Sequence, residues 1–252
     1  MPYDPADTDF VAATASGAHL SSPDETELHG DDTLGSGAET ETETESGAHT
    51  IHGADGGDSL DGTAGDDHIQ GGEGENHLRG GDGNDDVRGG SGFDDINGNV
   101  GADTLHGGDG DDWVVGGKDD DAVSGDGGDD IVNGNLGNDT TDGGLGDDQI
   151  RGGQGDDSVA GGDGNDWLSG DRGNDTLSGG AGADTFHFFA GAGIDRVTDF
   201  SAAQGDHVLL DHGTSFTVHQ AGADVVIETS GGDQMILANV QLSSLPEGWI
   251  SS

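Results

Sequence analysis

The chain contains no cysteine, and basic and hydrophobic residues are scarce. Of its 252 residues, six are lysine or arginine, 29% are hydrophobic and 4% are aromatic. Without cysteine, the chain can form neither a disulfide framework nor a thiolate metal site. Because so few apolar side chains cannot assemble a large conventional core, composition alone predicts disorder.

The shortage of basic residues leaves a large negative charge. Aspartate and glutamate together number 53, and the formal net charge is -47. This balance argues against nucleic acid and anionic membranes as partners and favours cations. No apolar run approaches the roughly 18 residues of a membrane span, and the opening residues lack the basic and apolar regions of a secretory signal peptide. We therefore expect neither a transmembrane segment nor a conventional signal peptide.

Glycine and aspartate are abundant instead, and they recur with a period of nine residues. From Gly53 to His187 the chain divides into 15 consecutive nonapeptides without insertion or deletion. Position 1 is glycine in all 15, and 14 repeats have glycine at position 4, aspartate at position 6 and Val, Ile, Leu or Phe at position 8. The exceptions are Asp119 at position 4, Asn76 at position 6 and Thr141 at position 8. Such a period predicts a repeat architecture.

Each repeat position has a structural interpretation. Glycine at positions 1, 4 and often 2 permits positive φ and close backbone approach, so GGxGx is interpreted as a turn whose carbonyl groups face inward. Residues 7 to 9 would form a very short strand in which position 8 points inward. Burying one apolar side chain returns less free energy than ordering nine residues costs. Hydrophobic burial alone should therefore leave the repeats unfolded.

The aspartate at position 6 can supply the missing stabilisation. An aspartate beside a loop of inward carbonyls is a hard oxygen site, which suits Ca²⁺ with its roughly six to eight oxygen ligands. Mg²⁺ suits it less well, because that ion demands near-ideal octahedral geometry and retains its waters. The predicted metal ligands are the 15 residues at position 6, namely Asp58, Asp67, Asn76, Asp85, Asp94, Asp103, Asp112, Asp121, Asp130, Asp139, Asp148, Asp157, Asp166, Asp175 and Asp184.

The pattern GGxGxDxUx resembles the RTX, or haemolysin-type, calcium-binding nonapeptide, and it covers more than half of the chain. The resemblance implies a parallel β-roll in which two nonapeptides make one 18-residue turn and Ca²⁺ lies between repeats n and n+2. Fifteen repeats would then hold about 13 ions. Residues 53–187 contain 33 acidic and five basic residues, so this loading would bring the roll close to neutrality. We expect Ca²⁺ binding and folding to be one event.

Other interpretations of these motifs fit less well. A solvated acidic surface would not place aspartate at position 6 in 14 of 15 repeats. An EF-hand needs flanking helices and a bidentate glutamate, and a P-loop needs its lysine followed by serine or threonine. An ice-binding roll needs a regular file of threonine or asparagine, which position 3 lacks. The departures at Asn76, Asp119 and Thr141 are expected to weaken Ca²⁺ binding or to loosen the roll locally.

We therefore predict an all-β protein with three parts. Residues 1–52 form an acidic, mostly disordered N-terminal arm with possible degenerate repeats at 29–34 and 46–51. Residues 53–187 form the RTX β-roll. Residues 188–252 form a β cap, with five short strands predicted in IDRVTDF, HVLLDH, SFTVHQ, ADVVIET and QMILANV.

The C-terminal region also resembles the end of RTX proteins that leave the cell by type I secretion. This resemblance implies that roughly residues 190–252 contain an uncleaved export signal and that the chain is an extracellular or cell-surface protein of a Gram-negative bacterium. The chain would stay unfolded in a calcium-poor cytoplasm and fold outside. Its expected partners are Ca²⁺, the secretion apparatus during export, and a second copy or a cell-surface polysaccharide or matrix.

We predict a non-enzymatic protein. The sequence contains no HExxH or GxSxG motif, and residues 1–52 are too few for an added enzyme domain. Adjacent carboxylates such as Asp66 and Asp67 are better explained by a calcium site than by glycoside hydrolysis. The predicted role is structural, in a matrix, surface layer or adhesion. The alternative is an effector that acts on a neighbouring cell's membrane through loop residues, namely Phe93, Val100, Leu136 and Leu145.

Overall fold

The computed structural model describes residues 31–33, 40–42 and 47–252. The described chain is built from strands, with a single turn of 3-10 helix at Leu242–Ser244. The strands are β1 (Asp31–Thr33), β2 (Thr40–Thr42), β3 (Thr50–His52), β4 (Ser59–Asp61), β5 (His68–Glu73), β6 (Asn76–Asp82), β7 (Asp86–Ser91), β8 (Asp94–Val100), β9 (Thr104–Asp109), β10 (Trp113–Lys118), β11 (Ala122–Gly127), β12 (Ile131–Leu136), β13 (Thr140–Leu145), β14 (Gln149–Gln154), β15 (Ser158–Asp163), β16 (Trp167–Arg172), β17 (Thr176–Ala181), β18 (Thr185–Phe188), β19 (Ile194–Val197), β20 (His207–Leu210), β21 (Phe216–Ala221), β22 (Asp224–Thr229), β23 (Gln234–Leu237) and β24 (Ile250–Ser251).

Alternate strands belong to two different parallel sheets. One sheet, which we call the odd sheet, runs β1-β3-β5 through β19 and ends in β23-β22-β21. The other, the even sheet, runs β2-β4-β6 through β20 and ends in β24. Through the repeats, each residue pairs with the one two nonapeptides further on, as Trp113 pairs with Ile131. The chain therefore winds as a β-roll with two repeats per turn, which confirms the predicted fold class.

The strands are longer than the sequence predicts. The strand β10 spans six residues and covers positions 7 to 9 of one repeat and positions 1 to 3 of the next. Its two glycines, which were expected in a turn, lie within the strand, and Gly117 at positive φ aligns with Asn99 and Asn135. Only positions 4 to 6 connect the sheets. The prediction was wrong here because backbone hydrogen bonds with the strands on both sides include the glycine segment in the sheet.

The core between the sheets is a double column of position-8 side chains. Every one of these residues from Leu60 to Phe186 is buried, with at most 3% of its surface exposed. Position 1 is also buried but holds glycine, so the two sheets approach closely there. Each repeat buries one side chain in this core, as predicted. Thr141 occupies its place in the column and is 1% exposed.

Pairing of strands continues on both sides of the 15 repeats. Before Gly53, β1 pairs with β3 and β2 pairs with β4, in parallel. β1 and β3 include parts of the two predicted degenerate repeats, whereas β2 lies in a part of the arm that was predicted to be disordered; that prediction was wrong for β2, which pairs with β4. Residues 1–30, 34–39 and 43–46 lie outside the described residues. After His187, β19 and β20 pair in parallel with β17 and β18. Both sheets therefore continue across the predicted domain boundaries without interruption.

The C-terminal segment closes the roll with its own packed strands. All five predicted strands are present, as β19 to β23. β22 pairs antiparallel with β21 and β23, and β23 attaches to the odd sheet through β19. Phe200 packs edge-on against Trp249 with ring centroids 6.1 Å apart. This segment is the predicted β cap.

Candidate metal centre

The 15 predicted ligands form two ladders, one along each edge where the chain crosses between sheets. All are buried, with at most 3% of their surface exposed. Within a ladder, each backbone N–H donates to the side chain 18 residues further on, as Asp103 N–H donates to Asp121 Oδ1 at 2.9 Å. One ladder contains Asp67, Asp85, Asp103, Asp121, Asp139, Asp157 and Asp175, and the other contains Asp58, Asn76, Asp94, Asp112, Asp130, Asp148, Asp166 and Asp184.

These hydrogen bonds use only one oxygen of most carboxylates. In every position-6 aspartate from Asp85 to Asp184, the second oxygen, Oδ2, is buried and has no hydrogen-bond partner. A buried unpartnered carboxylate oxygen is strongly destabilising unless a cation or proton accompanies it. Twelve such oxygens recur at regular intervals along the roll. Their regular spacing indicates one kind of binding site that is repeated along the roll.

The unpartnered oxygens face the glycine at position 1 of their own repeat. A methyl group added to Gly116 would overlap both Asp121 Oδ2 and the carbonyl oxygen of Gly134. The two oxygens belong to repeats n and n+2, since Gly134 lies one full turn beyond Gly116. Glycine at position 1 is therefore required because any side chain would fill the space where these oxygens converge.

Burial raises the pKa of the ladder carboxyl groups above their ordinary value of 3.8. Desolvation raises the pKa of Asp121 to about 8; the N–H of Asp103 lowers it, and the carboxylates of Asp103 and Asp139 raise it further. The pKa of Asp85 is raised to about 6, again mainly by desolvation. Folding therefore disfavours the ionised ladder unless positive charge lies beside it.

The donor set fits Ca²⁺. Among the described residues, no three Asp, Glu, His or Cys side chains lie close enough together to hold a metal ion. Each repeat instead offers one carboxylate oxygen beside backbone carbonyls, as at Asp121 Oδ2 and Gly134. Such hard, flexible oxygen ligands are those that Ca²⁺ binds in proteins. Bound Ca²⁺ would supply positive charge to the buried carboxylates and draw together oxygens of successive turns.

The three departures from the repeat pattern keep the register of the roll. Asn76 replaces a carboxylate without leaving an unpartnered atom, since its Oδ1 accepts from Asp58 N–H at 3.0 Å and its Nδ2 donates to the Gly74 carbonyl at 3.5 Å. Asp119 adopts the left-handed φ of 74° that glycine otherwise supplies. Thr141 has a buried hydroxyl with no hydrogen-bond partner. Asp119 therefore adds a left-handed backbone conformation to the roll, and Thr141 adds a buried polar atom without a partner.

The ladders extend beyond the predicted ligands. Asp175 N–H donates to Asp195 Oδ1 at 3.2 Å, and Asp184 N–H donates to Asp206 Oδ1 at 3.3 Å. Sequence reasoning missed Asp195 and Asp206 because longer connections place them 20 and 22 residues beyond their partners. The available signals were the dipeptide Gly205–Asp206 immediately before β20 and the dipeptide Ile194–Asp195 at the start of β19.

Position 5 carries a second, exposed ladder that sequence reasoning also missed. Asn138 N–H donates to Asp120 Oδ1 at 2.7 Å, and Asp156 N–H donates to Asn138 Oδ1 at 2.9 Å. These bonds run toward the N-terminus, opposite to those of position 6. Position 5 is Asp or Asn in ten of the 15 repeats, so the signal was present. Asp66 belongs to this surface ladder and Asp67 to the buried one, so the pair does not face one substrate.

The loop residues considered for membrane contact lie on two different edges. Phe93 follows β7 and Leu145 ends β13, both in the odd sheet, whereas Val100 ends β8 and Leu136 ends β12, both in the even sheet. Because the chain leaves the two sheets at opposite edges of the roll, these side chains form no common surface. Among the described residues, no helix is long and apolar enough to cross a membrane.

Comparison with known proteins identifies the repeat. The family model of the RTX calcium-binding nonapeptide repeat (four copies) matches residues 52–87, 88–123, 106–141, 115–150, 151–186 and 160–197. No curated protein matches the chain.

Two solved structures are similar to parts of the chain. The AlgE6R3 subunit of the Azotobacter vinelandii mannuronan C5-epimerase is 28% identical over 48% of this chain and 78% of that one, with a TM-score of 0.36. The extracellular lipase LipA from Serratia marcescens is 20% identical, with a TM-score of 0.40; the match covers 83% of this chain and 40% of the lipase. The match to the repeat model covers more than half of the chain and contains all 15 predicted ligands, so the chain belongs to the RTX calcium-binding nonapeptide family and forms a Ca²⁺-binding β-roll.

Proposed function

We propose that this chain is a secreted protein whose roll folds when it binds Ca²⁺ outside the cell and then serves as a structural or adhesive element of a matrix or surface layer. The observation that carries the proposal is the row of twelve buried Oδ2 atoms without partners. Such a row opposes folding where Ca²⁺ is scarce and favours it where Ca²⁺ is abundant.

The proposed ligands are the position-6 residues of both ladders together with the backbone carbonyls beside them. Asp121 Oδ2 and the Gly134 carbonyl exemplify one such pair. About 13 ions would occupy the gaps between turns. Asp195 and Asp206 would add a carboxylate at the C-terminal end of each ladder.

We infer that the roll acts by binding rather than by catalysis. The carboxylates in its interior are committed to the ladders, where one oxygen accepts a backbone N–H and the other faces a buried glycine. None of these oxygens is exposed to a substrate. A chain that is folded by Ca²⁺ and carries many exposed carboxylates is suited to crosslinking through further Ca²⁺ ions.

Export is proposed to depend on the C-terminal segment. Deleting residues 195–252 is expected to abolish secretion, measured as the fraction of the chain in the medium. The matched control deletes residues 108–125, one 18-residue turn, which preserves the ladder register and the C-terminal segment. Secretion of the truncated chain at the control level would contradict the proposed signal.

The matrix role is tested by location. Cells that produce the full chain in Ca²⁺-containing medium are expected to retain it on their surface and to release it when EGTA is added. Recovery of the protein free in the medium, together with leakage of dye from lipid vesicles, would contradict the matrix role and support a membrane-active effector.

A further inference from the structure

The outer face of the even sheet contains a groove of about 990 Å³ that crosses β8 to β18. Positions 7, 9 and 2 of each strand point outward, so residues from alternate repeats lie side by side there. We call this feature the even-face groove and define it by Asn97, Asn99, Lys118, Asn135, Arg172 and His187. The mechanism of Ca²⁺ binding uses none of these side chains.

Positive charge is concentrated at the even-face groove. Three of the six basic residues of the chain, Lys118, Arg151 and Arg172, line it. Two carboxylates also line the groove, and they pair with Arg151 (Asp171) and His187 (Asp211), each at 3.1 Å. Lys118 and Arg172 make no ion pair with any described residue. In a chain with 53 acidic residues, two unpaired cations beside one groove point to a negatively charged ligand.

Aromatic rings form a contact series on this face. The Arg151 guanidinium lies 5.7 Å from the centre of the Trp167 ring, which stacks on His187 at 5.1 Å, and His187 stacks on Phe189 at 5.9 Å. Trp113, on the same sheet, is 50% exposed. The outward positions of β5 to β17 in the odd sheet hold no Trp, Phe or Tyr. The two faces of the roll therefore differ in chemistry although they share one repeat.

Paired asparagines line the floor of the groove. The sequence Asn-Gly-Asn occurs on β8 and again on β12. Asn99 and Asn135 have positive φ values of 77° and 81°. On the neighbouring strands, the residues aligned with them include the glycines Gly117 and Gly153. Asparagine is one of the few residues besides glycine that adopt the left-handed conformation, because its short polar side chain can hydrogen-bond locally. The Asn99 amide does so, since its Nδ2 donates to the Asn97 carbonyl at 3.3 Å. These strands therefore present amide groups to the groove without disturbing the sheet.

We propose that the even-face groove binds an acidic, uronate-containing polysaccharide. Flat rings suit the C–H faces of sugar rings, amides suit hydroxyl groups, and Lys118 and Arg172 suit carboxylates. The strands that carry these groups are stacked about 4.8 Å apart along the roll, so the groups follow one another along a line that an extended polymer can span. A peptide fits less well, because the backbone groups of the face already pair within the sheet and leave no edge for strand addition.

The experiment measures binding of the Ca²⁺-loaded full chain to hyaluronan, unsulfated chondroitin and xanthan by affinity electrophoresis. The methyl ester of hyaluronan and poly-glutamate are the comparison ligands. Binding to at least one of the three uronate polymers, and weaker binding to the ester, is expected. Binding to none of them, or equal binding to poly-glutamate, would overturn the proposal.

Two variants locate the site. The double variant Lys118→Gln, Arg172→Gln should weaken binding about tenfold or more, and the matched Arg88→Gln variant, on the odd sheet, should not. The double variant Asn99→Gly, Asn135→Gly should also weaken binding while thermal stability stays the same or rises. Unchanged affinity in both double variants would refute the assignment.

The inference rests on the proposed function only in requiring the Ca²⁺-loaded fold. Circular dichroism with and without Ca²⁺ therefore accompanies each measurement. A chain that does not respond to Ca²⁺ contradicts the proposed function, whereas a chain that folds with Ca²⁺ and binds none of the three polymers contradicts the groove assignment alone.

Discussion

The repeat roll and the C-terminal segment share two continuous sheets but are stabilised differently. In the roll, each repeat buries one position-8 side chain, which is apolar in every repeat but that of Thr141, and one position-6 polar side chain. The C-terminal segment buries a dense apolar cluster instead, which contains Phe200, Val208, Leu210, Val225, Ile227, Met235 and Leu237. Trp249 packs against the same cluster.

Their buried polar atoms differ in the same way. The roll contains twelve unpartnered carboxylate oxygens, whereas the described residues beyond His187 contain no buried unpartnered side-chain polar atom. In the segment, Asp206 satisfies both of its oxygens, with Asp184 N–H and Ser201 N–H. One solenoid can therefore contain a part that depends on a ligand and a part that depends on hydrophobic burial.

Removing Ca²⁺ should separate the two parts and give the largest effect. With EGTA, amides of β5 to β17 should lose their protection from hydrogen exchange, since buried carboxylates then lack their cation. Amides of β20, β22 and β23 should retain protection, since apolar burial stabilises them. Hydrogen exchange read by mass spectrometry checks this. Equal loss in both parts would remove the distinction.

Truncating the apolar cluster should destabilise the chain even with Ca²⁺ present. Leu237→Ala is expected to lower the free energy of unfolding by about 2 to 5 kcal/mol, because Leu237 is fully buried. Urea unfolding in saturating Ca²⁺ measures it. The control is Ile194→Ala, at a side chain 48% exposed, with an expected change of about 0.5 kcal/mol or less.

Replacing one ladder carboxylate should have opposite effects with and without Ca²⁺. Asp121→Asn should raise the Ca²⁺ midpoint of folding about tenfold, or about 1.4 kcal/mol, and should stabilise the Ca²⁺-free chain, as the accommodation of Asn76 suggests. Calcium titration followed by circular dichroism tests both signs. Asp163→Asn, at an exposed position-3 residue, is the control and should change neither.

Acid should partly substitute for Ca²⁺. The pKa values of Asp85, Asp112 and Asp121 in the folded chain are raised to about 6, about 7 and about 8, mainly by burial, from 3.8. The folded roll thus holds protons more tightly than the unfolded chain, so its Ca²⁺-free stability is greatest below pH 3.8 and is lost as the pH rises through these values. Circular dichroism in EGTA should show more folded chain at about pH 5 than at about pH 8. The opposite trend would contradict the buried ladder.

Filling the one polar gap in the core should give the smallest change. Thr141→Val removes a buried hydroxyl without a partner and should raise the free energy of unfolding with Ca²⁺ by about 1 kcal/mol. The neighbouring exposed residue gives the control, Thr140→Val, with an expected change of about 0.5 kcal/mol or less. A lower stability for Thr141→Val would indicate that the hydroxyl has a partner.

Much of the roll could be predicted because its information is local and periodic. The nine-residue pattern predicts the inward column at position 8 and a polar side chain at position 6, and its resemblance to the RTX nonapeptide implies the parallel roll; the structure contains all three. The strand lengths were wrong because the glycine segment joins a strand only when turns on both sides pair with it. The metal ligation by position 6 stays a prediction.

Contacts outside the strict period could not be predicted. Asp195 and Asp206 join the ladders across lengthened connections. The carboxylate of Asp199 accepts hydrogen bonds from the Gly179 and Gly180 N–H groups of β17. No repeat pattern encodes such contacts, because each depends on how the final turns pack.

The sequence by itself determined the repeat, its Ca²⁺ chemistry and the presence of one apolar side chain per repeat, because these follow from residues within nine positions of one another. Which carboxylate oxygen stays unpartnered and which residues share a face depend on the folded roll, because its contacts join residues 18 apart. Neighbouring repeats therefore face opposite sides, and Trp167, His187 and Arg151 meet on the outer face of the even sheet through the winding of the chain.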